Sequence, residues 1–329
     1  MPESIPMDRN LALEVVRVTE AAALAASRQM GRGDEHAADQ VAVDAMRTAL
    51  NSLAIKGTVV IGEGERDEAP MLFIGEEVGL GEGPIIDIAL DPLEGTTITA
   101  KGLTNALAVV AMAEEGGFLN SPDVYMDKIA VGIGLPDQIV DIDEEPKANL
   151  KNLAQAKKVD VSYIVVCILD RPRHEDLIAK VRDAGARIML ISDGDISAVM
   201  ATSEPASGVD IYIGSGGAPE GVLAASALRC IGGQMQARLL FRNEDEKARA
   251  RHCGIEDFDR KYGLYDLANG DVMFAATGVT NGTMLKGVRR FSGGATTHSV
   301  VMRSRSGTVR YIEAVHNFNR KTGFDPVDR

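Results

Sequence analysis

The stretch Asp91-Pro92-Leu93-Glu94-Gly95-Thr96-Thr97 gathers two carboxylates, a glycine and two hydroxyls into seven positions. Pro92 suits position i+1 of a β-turn, and such a turn sets residues i and i+3 within about 7 Å, so Asp91 and Glu94 would lie side by side. Two carboxylates that close repel unless one holds a proton or a cation stands between them. Gly95 permits close backbone approach to a ligand. Oxygen donors beside a hydroxyl suit a hard cation such as Mg²⁺ that also holds a phosphate. Taken alone, the stretch reads more simply as a capped surface turn with an acidic pair. The other carboxylates of the chain supply the competing reading.

Asp39 is one of them. The apolar positions Val43, Met46, Leu50 and Leu53 recur at helical spacing, and the stripe extended backwards lands on Asp39, whereas Gln40, Asp44, Arg47 and Asn51 fall on the opposite face. A lone charge on a buried face is costly unless it is paired or binds metal; the alternative is a first-turn acid interacting with its own helix dipole. Next, Thr58-Val59-Val60-Ile61 reads as a strand and runs into Gly62-Glu63-Gly64-Glu65-Arg66-Asp67-Glu68. A Gly-x-Gly after a strand suggests a dinucleotide loop, but Asp67 stands where the third glycine belongs and the acids would repel a pyrophosphate. The same acids suit a cation.

The elements that must position these groups follow from periodicity and turn residues. A helix over 11–30 ends at Gly31-Arg32-Gly33, and Asp34 caps a second helix to about residue 53. Residues 84–90 form an apolar strand leading into Asp91, with further strands at 106–112 and 128–133 and Tyr125 just before the latter. The acidic, proline-closed segment 141–146 marks the approach to a domain boundary, with a connecting helix at 147–158. The expected domains are therefore 1–158 and 159–329. The second half reads as βαβαβα, with strands at 161–169, 187–191 and 209–213. They end in Asp170-Arg171-Pro172-Arg173-His174, Ser192-Asp193-Gly194-Asp195 and Gly214-Ser215-Gly216-Gly217-Ala218-Pro219-Glu220-Gly221. Parallel strands place all three loops at one carboxyl edge, where open α/β sheets bind ligands. Arg171 and Arg173 offer cations, Asp193 and Asp195 could accept from sugar hydroxyls, and the glycine-rich helix start suits an anion, or Glu220 there faces a metal the anion shares. Beyond residue 234 the pattern loosens into a charged helix at 243–252 and strands near 272–275, 297–303 and 308–314, with His298 and His316 as structural histidines and a loose tail after about 317.

Composition narrows the classes. The 329 residues are 45% hydrophobic, enough for sizeable cores, and the net charge of −13 excludes partners that need a basic surface, nucleic acid and anionic membranes. An anionic substrate would need local cations, metals or arginines, against that field. The three cysteines, Cys167, Cys230 and Cys253, form no paired motif. With no apolar signal core at residues 1–9 and no membrane-length apolar run, a cytoplasmic location is expected.

Asp39, Glu63, Asp91, Glu94 and Glu220 come from a helix, two strand ends and a later helix start, the way two-metal phosphate-ester hydrolysis sites are assembled. Together with the Gly62–Glu65 and Asp67-Glu68-Ala69-Pro70-Met71-Leu72 segments, the Asp91–Thr96 segment, Arg171-Pro172-Arg173-His174, Asp193-Gly194-Asp195 and Gly216–Gly221, the chain resembles class II fructose-1,6-bisphosphatase from about residue 11 to 316. The resemblance implies an α/β fold of the lithium-sensitive sugar-phosphatase type, a layered α-β-α-β-α sandwich with mixed sheets. It implies hydrolysis of fructose 1,6-bisphosphate to fructose 6-phosphate and phosphate, with sedoheptulose 1,7-bisphosphate as a second substrate of some members.

Carried over, it makes Asp39, Glu63, Asp91, Glu94 and Glu220 ligands of Mn²⁺ or Mg²⁺, and Thr96 and Glu65 catalytic. Substrate contacts fall to Glu94, Gly95, Thr96, Tyr125, Arg171, Pro172, Arg173, Asp193, Gly194, Asp195 and Gly217. Arg171 stands where some members have lysine, a cation of different geometry. The resemblance also implies a homodimer or homotetramer. Competing readings are a phosphatase of the same scaffold acting on inositol phosphates or a nucleotide 3′-phosphate, a non-catalytic sugar-phosphate-binding module, and, least supported, a redox enzyme.

Overall fold

The structure, a computed structural model, describes residues 11–64 and 71–320. Helix α1 (Leu11–Ala26) lies along α2 (Glu35–Leu50), whose start is capped as expected, Ala37 N donating to Asp34 Oδ1 at 2.9 Å. The chain continues through β1 (Lys56–Ile61), β2 (Glu77–Val78), β3 (Ile85–Glu94), the short α3 (Thr96–Lys101) and β4 (Leu107–Glu114). Then come β5 (Tyr125–Val131), α4 (Pro146–Lys157), β6 (Val165–Leu169), α5 (Glu175–Asp183), β7 (Arg187–Ile191), α6 (Asp195–Ala201), β8 (Ile211–Gly217), α7 (Ala218–Ile231) and β9 (Gln234–Leu240). The last elements are α8 (Glu244–His252), β10 (Tyr262–Gly263), α9 (Leu264–Leu267), β11 (Val272–Gly278), β12 (Arg289–Phe291), β13 (Gly294–Arg303) and β14 (Thr308–Asn317).

Among the described residues these strands form two sheets, ordered β12-β13-β11-β4-β3-β1-β2 with β14 on β13, and β10-β9-β5-β8-β6-β7. Both are mixed. β1 runs parallel to β3, and β6 parallel to β7 and β8, while the other pairs are antiparallel. The expected βαβαβα run is therefore the parallel part of the second sheet. The chain leaves the first sheet after β4 and rejoins it at β11, which pairs with β4 from Val272↔Ala113 to Gly278↔Leu107. Both strands are apolar on both faces and need covered neighbours on either side. Sheet membership consequently divides the chain as 56–114 with 272–317 against 125–263, which does not follow a boundary at 158. Helix α4, expected as a connector, packs against α5 on the second sheet.

Three cores result. α1 and α2 cover one face of the first sheet, through Val15, Val18, Ala22, Val43 and Met46 against Ala108, Val110 and Met112. α6 and α7 fill the space between the sheets, with Val109 and Ala111 on one side and Met126, Ala130 and Tyr212 on the other. α4 and α5 cover the outer face of the second sheet through Leu150, Leu153, Ile178 and Val181 against Ile129, Val131, Val166 and Ile168. No helix among the described residues is long and apolar enough to cross a membrane.

Several local expectations change. Asp91–Glu94 is a bulge inside β3 rather than a turn: Asp91 pairs with Val109 and Glu94 with Leu107, so Pro92 and Leu93 share one residue of β4. Pro92, with no N–H to give the ladder, sits where the ladder is interrupted. The strand expected at 161–169 begins at Val165, because Asp160 caps Ser162 N and winds 161–163 into a 3₁₀ turn. The glycines 214–217 belong to β8, paired with Lys128 to Tyr125 of β5, and are not loop. β9 was unexpected. Residues beyond 317 do not begin as a loose tail, since Phe318 is fully buried and its N–H donates to Gly293 O at 2.9 Å.

Candidate active site

The bulge at Asp91–Glu94, the end of β1, the start of α2 and the start of α7 meet at one cavity of about 320 Å³. Asp39, Glu63, Asp91, Glu94, Thr96 and Glu220 line it, with Asp123, Asp193 and Asp195. The acids feel one another. Burial, then the charges of Asp39 and Glu220, push Glu63 up to about 8. Burial, then Glu63, Glu220 and Asp39, hold the Asp91 carboxyl well above the usual carboxylate range. Glu220 is pushed up to about 7 by burial and then by Asp195, against the opposing pull of Lys128. Burial raises Asp39 as well, with His36 opposing. Asp39, Glu63, Asp91 and Glu220 thus face a common space.

Glu94 faces elsewhere in part. Its Oε1 accepts from Ile196 N at 2.7 Å, at the start of α6, while its buried Oε2 has no hydrogen-bond partner among the described residues. Burial raises its carboxyl well above the ordinary range, followed by Asp195 and Asp91. Asp91 Oδ1 accepts from Leu93 N at 3.0 Å, which pins the bulge. Among the described residues the acids ring the cavity without closing into a group at ligand distance. Their chemistry nevertheless fits a hard divalent ion: the donors are all oxygen, their repulsion is what a cation relieves, and Glu94 Oε2 is an unused acceptor.

Two of the glycines, Gly216 and Gly217, make room for acids. A Cβ on Gly217 would collide with the Glu220 carboxylate, one on Gly216 with Asp195 Oδ2, and one on Gly62 with Leu72 O. Glu220 folds over the first turn of its own helix, where its backbone N–H opposes the upward shift. The helix start expected to suit an anion is therefore filled by a side-chain carboxylate.

A cationic group stands at the same edge of the second sheet. Tyr125, the first residue of β5, pairs with Gly217 of β8 and Leu240 of β9. Arg173 lies over its ring at 4.9 Å to the centroid and Arg242 at 5.1 Å. Ser215 orients Arg173, taking hydrogen bonds from Nε to Oγ at 3.0 Å and from Nη2 to O at 2.7 Å. Buried His174 locks that turn: its Nε2 accepts from Ser215 N at 2.8 Å, which leaves Nδ1–H to donate to Leu169 O at 2.7 Å. Burial lowers the His174 pKa, so the ring is a neutral strut. Pro172 opens the 3₁₀ turn that carries Arg173. Burial raises the Asp193 carboxyl, with the Gly194 N–H and the Arg171 charge opposing. Gly194, at φ +88°, turns the chain into α6.

The structure thus gathers Asp39, Glu63, Asp91, Glu94, Gly95, Thr96, Asp193, Asp195 and Glu220 around the cavity, and sets Tyr125, Arg171, Pro172, Arg173, Gly194 and Gly217 beside it rather than in its lining. Asp195, expected at sugar hydroxyls, is buried and ion-paired to Lys128 Nζ, which also donates to Gly217 O at 3.0 Å. Glu65 lies outside the described residues. Sequence reasoning passed over Lys128, Asp123 and Arg242. Lys128 had a signal, a charge on the otherwise apolar Met126/Ala130 face of its strand.

The family model for bacterial fructose-1,6-bisphosphatase of the glpX-encoded type matches residues 9–316. A D-fructose 1,6-bisphosphatase class 2/sedoheptulose 1,7-bisphosphatase of Synechococcus sp. (strain JA-2-3B'a(2-13)) is 45% identical, covering 94% of this chain and 96% of the relative. The protein of that name from Trichodesmium erythraeum (strain IMS101) is 44% identical over 95% of this chain and 97% of its own. A solved structure, an extragenic suppressor from Pyrococcus furiosus, is similar at a TM-score of 0.31 and 11% identity over 59% of this chain and 70% of that one, too slight a likeness to bear on the site. With the family pattern running through every element that meets at the cavity, the chain belongs to the glpX-type bacterial fructose-1,6-bisphosphatase family.

Proposed function

We propose that the protein hydrolyses the 1-phosphate of fructose 1,6-bisphosphate to fructose 6-phosphate and phosphate, with Mn²⁺ or Mg²⁺ held by Asp39, Glu63, Asp91, Glu94 and Glu220. The observation that carries this is the set of mutually repelling carboxylates around one cavity, beside a group of arginines, in a chain of that family. A divalent ion bound there supplies charge for the phosphoryl oxygens and acidifies water. The chain's own groups do the rest. Thr96, at the cavity wall behind Gly95, orients the attacking oxygen. Glu65 takes part in proton transfer. Tyr125, Arg171 and Arg173 hold the 6-phosphate, and Asp193 with the Gly194 backbone meets the sugar hydroxyls. Asp195 is tied to Lys128 and acts from the floor. The relatives' names also support sedoheptulose 1,7-bisphosphate as a second substrate.

The order of the three cores supports the α-β-α-β-α layering as the fold of this reading. A homodimer or homotetramer in the cytoplasm completes it, with light scattering as the check on mass. The reaction is tested by phosphate release at saturating Mn²⁺ from the two sugar bisphosphates, an inositol monophosphate and a nucleotide 3′-phosphate. Turnover of fructose 1,6-bisphosphate at a kcat/KM at least about a hundredfold above the inositol and nucleotide esters is expected. Preference for either ester overturns the substrate, and binding without any release makes the protein a sugar-phosphate-binding module.

A further inference from the structure

The sheet edge that gathers Arg171, Arg173, Asp193 and Gly217 has a fourth contributor. β9 lies antiparallel to β5, so its carboxyl end stands at the amino end of β5, level with Tyr125 and with the ends of β6 and β8. Leu240 is the partner of Tyr125, and Arg242 follows two residues later. The register alone therefore carries Arg242 to the place where the Arg171–Arg173 turn also arrives.

The side chains agree. The Tyr125 ring has the Arg173 guanidinium at 4.9 Å and the Arg242 guanidinium at 5.1 Å from its centroid. Neither arginine is there by default. Arg173 is tethered to Ser215, as above. Arg242 is clamped by Glu246, whose Oε1 accepts from Nε at 2.6 Å and whose Oε2 accepts from the Arg242 backbone N–H at 2.7 Å. Glu246 is itself 2% exposed, and its N–H donates to the Asn243 cap at 2.9 Å, so the clamp is built into the first turn of α8. A merely solvated arginine would not be held at side chain and backbone by a buried carboxylate. Arg242 nevertheless keeps much of its guanidinium open, its side chain being 61% exposed.

We infer that Arg242 is a specificity-determining residue, a third guanidinium of the subsite for the substrate's second phosphate, aimed at Tyr125 by Glu246. This rests on the reading that Tyr125, Arg171 and Arg173 hold that phosphate. A phosphate dianion at the Tyr125 rim would meet cations from two separate elements, the turn after β6 and the segment after β9. In a chain of net charge −13, such a local concentration of guanidinium charge is what admits a bisphosphate.

The test compares Arg242→Ala, Arg242→Lys, Glu246→Gln and Arg173→Ala with the parent protein. Two quantities are read: KM against kcat for fructose 1,6-bisphosphate, and the inhibition constant of fructose 6-phosphate, which carries only the second phosphate. Arg242→Ala should raise both KM and the inhibition constant by about tenfold, the loss of one charge-assisted contact, with kcat changed by less than about twofold. Arg242→Lys should recover part of the loss, and Glu246→Gln should give a smaller loss of the same kind. If Arg173→Ala weakens fructose 6-phosphate but Arg242→Ala does not, the inference is wrong and the subsite reading stands. If neither variant does, the subsite reading falls and this inference with it. A fall in kcat or melting temperature alone on Arg242→Ala makes the residue structural and also overturns the inference.

Discussion

The two ends of the site are prepared in opposite ways. At the acidic end, burial drives the pKa values of Asp39, Glu63, Asp91 and Glu220 upward, the charges of Asp39 and Glu220 adding to it at Glu63 and Asp91, and that of Asp195 at Glu220. At the cationic end, Arg173 is held by hydrogen bonds to Ser215 and Arg242 by hydrogen bonds to Glu246. The first end stores repulsion and needs an ion to settle it; the second is already settled. Charge at the acidic end should therefore respond to protons and metal, and charge at the cationic end to side-chain identity and salt.

The strongest break comes from neutralising an acid. Glu220→Gln should lower phosphate release by about a thousandfold while raising the melting temperature of the metal-free protein, because an amide removes a like charge from the ring. A variant that melts lower and retains activity would show that Glu220 is a structural acid. Lys128→Met should come next. It leaves Asp195 buried and unpaired beside Glu220, and denaturant unfolding should show a loss of about 3–5 kcal/mol, partly recovered when Asp195→Asn is added. If Lys128→Met is neutral, the pair does not support the floor of the site.

At the other end, Arg173→Ala should raise KM for the bisphosphate by about ten- to a hundredfold with a smaller change in kcat. The parent KM should rise with ionic strength, and that dependence should weaken in the variant. The smallest effect is the pH response. Glu220 and Glu63 hold protons more tightly in the folded chain, at about 7 and about 8, than the ordinary 4.5. Their contribution to stability is complete below about 4.5 and is lost as pH rises through those folded values. The metal-free protein should melt a few degrees lower at about pH 8.5 than at about pH 6, and saturating Mn²⁺ should abolish that slope. An unchanged slope with metal would separate the ion from these carboxylates.

Much of this was legible in the sequence because it was written in local patterns. The Asp34 cap, the βαβαβα run and the acids at strand ends depend on periodicity and turn residues. What was not legible depends on pairing across the chain. The return of β11 to β4 cannot be read from residue 272 alone, and without it a division at 158 looks natural. β9 itself was readable, since Gln234–Leu240 alternates buried and half-exposed positions behind Gly232-Gly233; what the alternation does not give is its place beside β5. Missing β9 hid Arg242. The Asp91–Glu94 stretch has the composition of a turn, and only the register against Val109 and Leu107 makes it a bulge. Lys128 was readable as an oddity, though its partner Asp195 lies 67 positions away.

Metal-dependent hydrolysis at the ring of acids is tested most directly by phosphate release from fructose 1,6-bisphosphate after chelation and on return of Mn²⁺, with Glu220→Gln measured alongside. It predicts that the chelated protein is silent, that Mn²⁺ restores release in the parent and that the variant stays silent at the same concentration. Full release in the presence of chelator, or a variant indistinguishable from the parent, would contradict it.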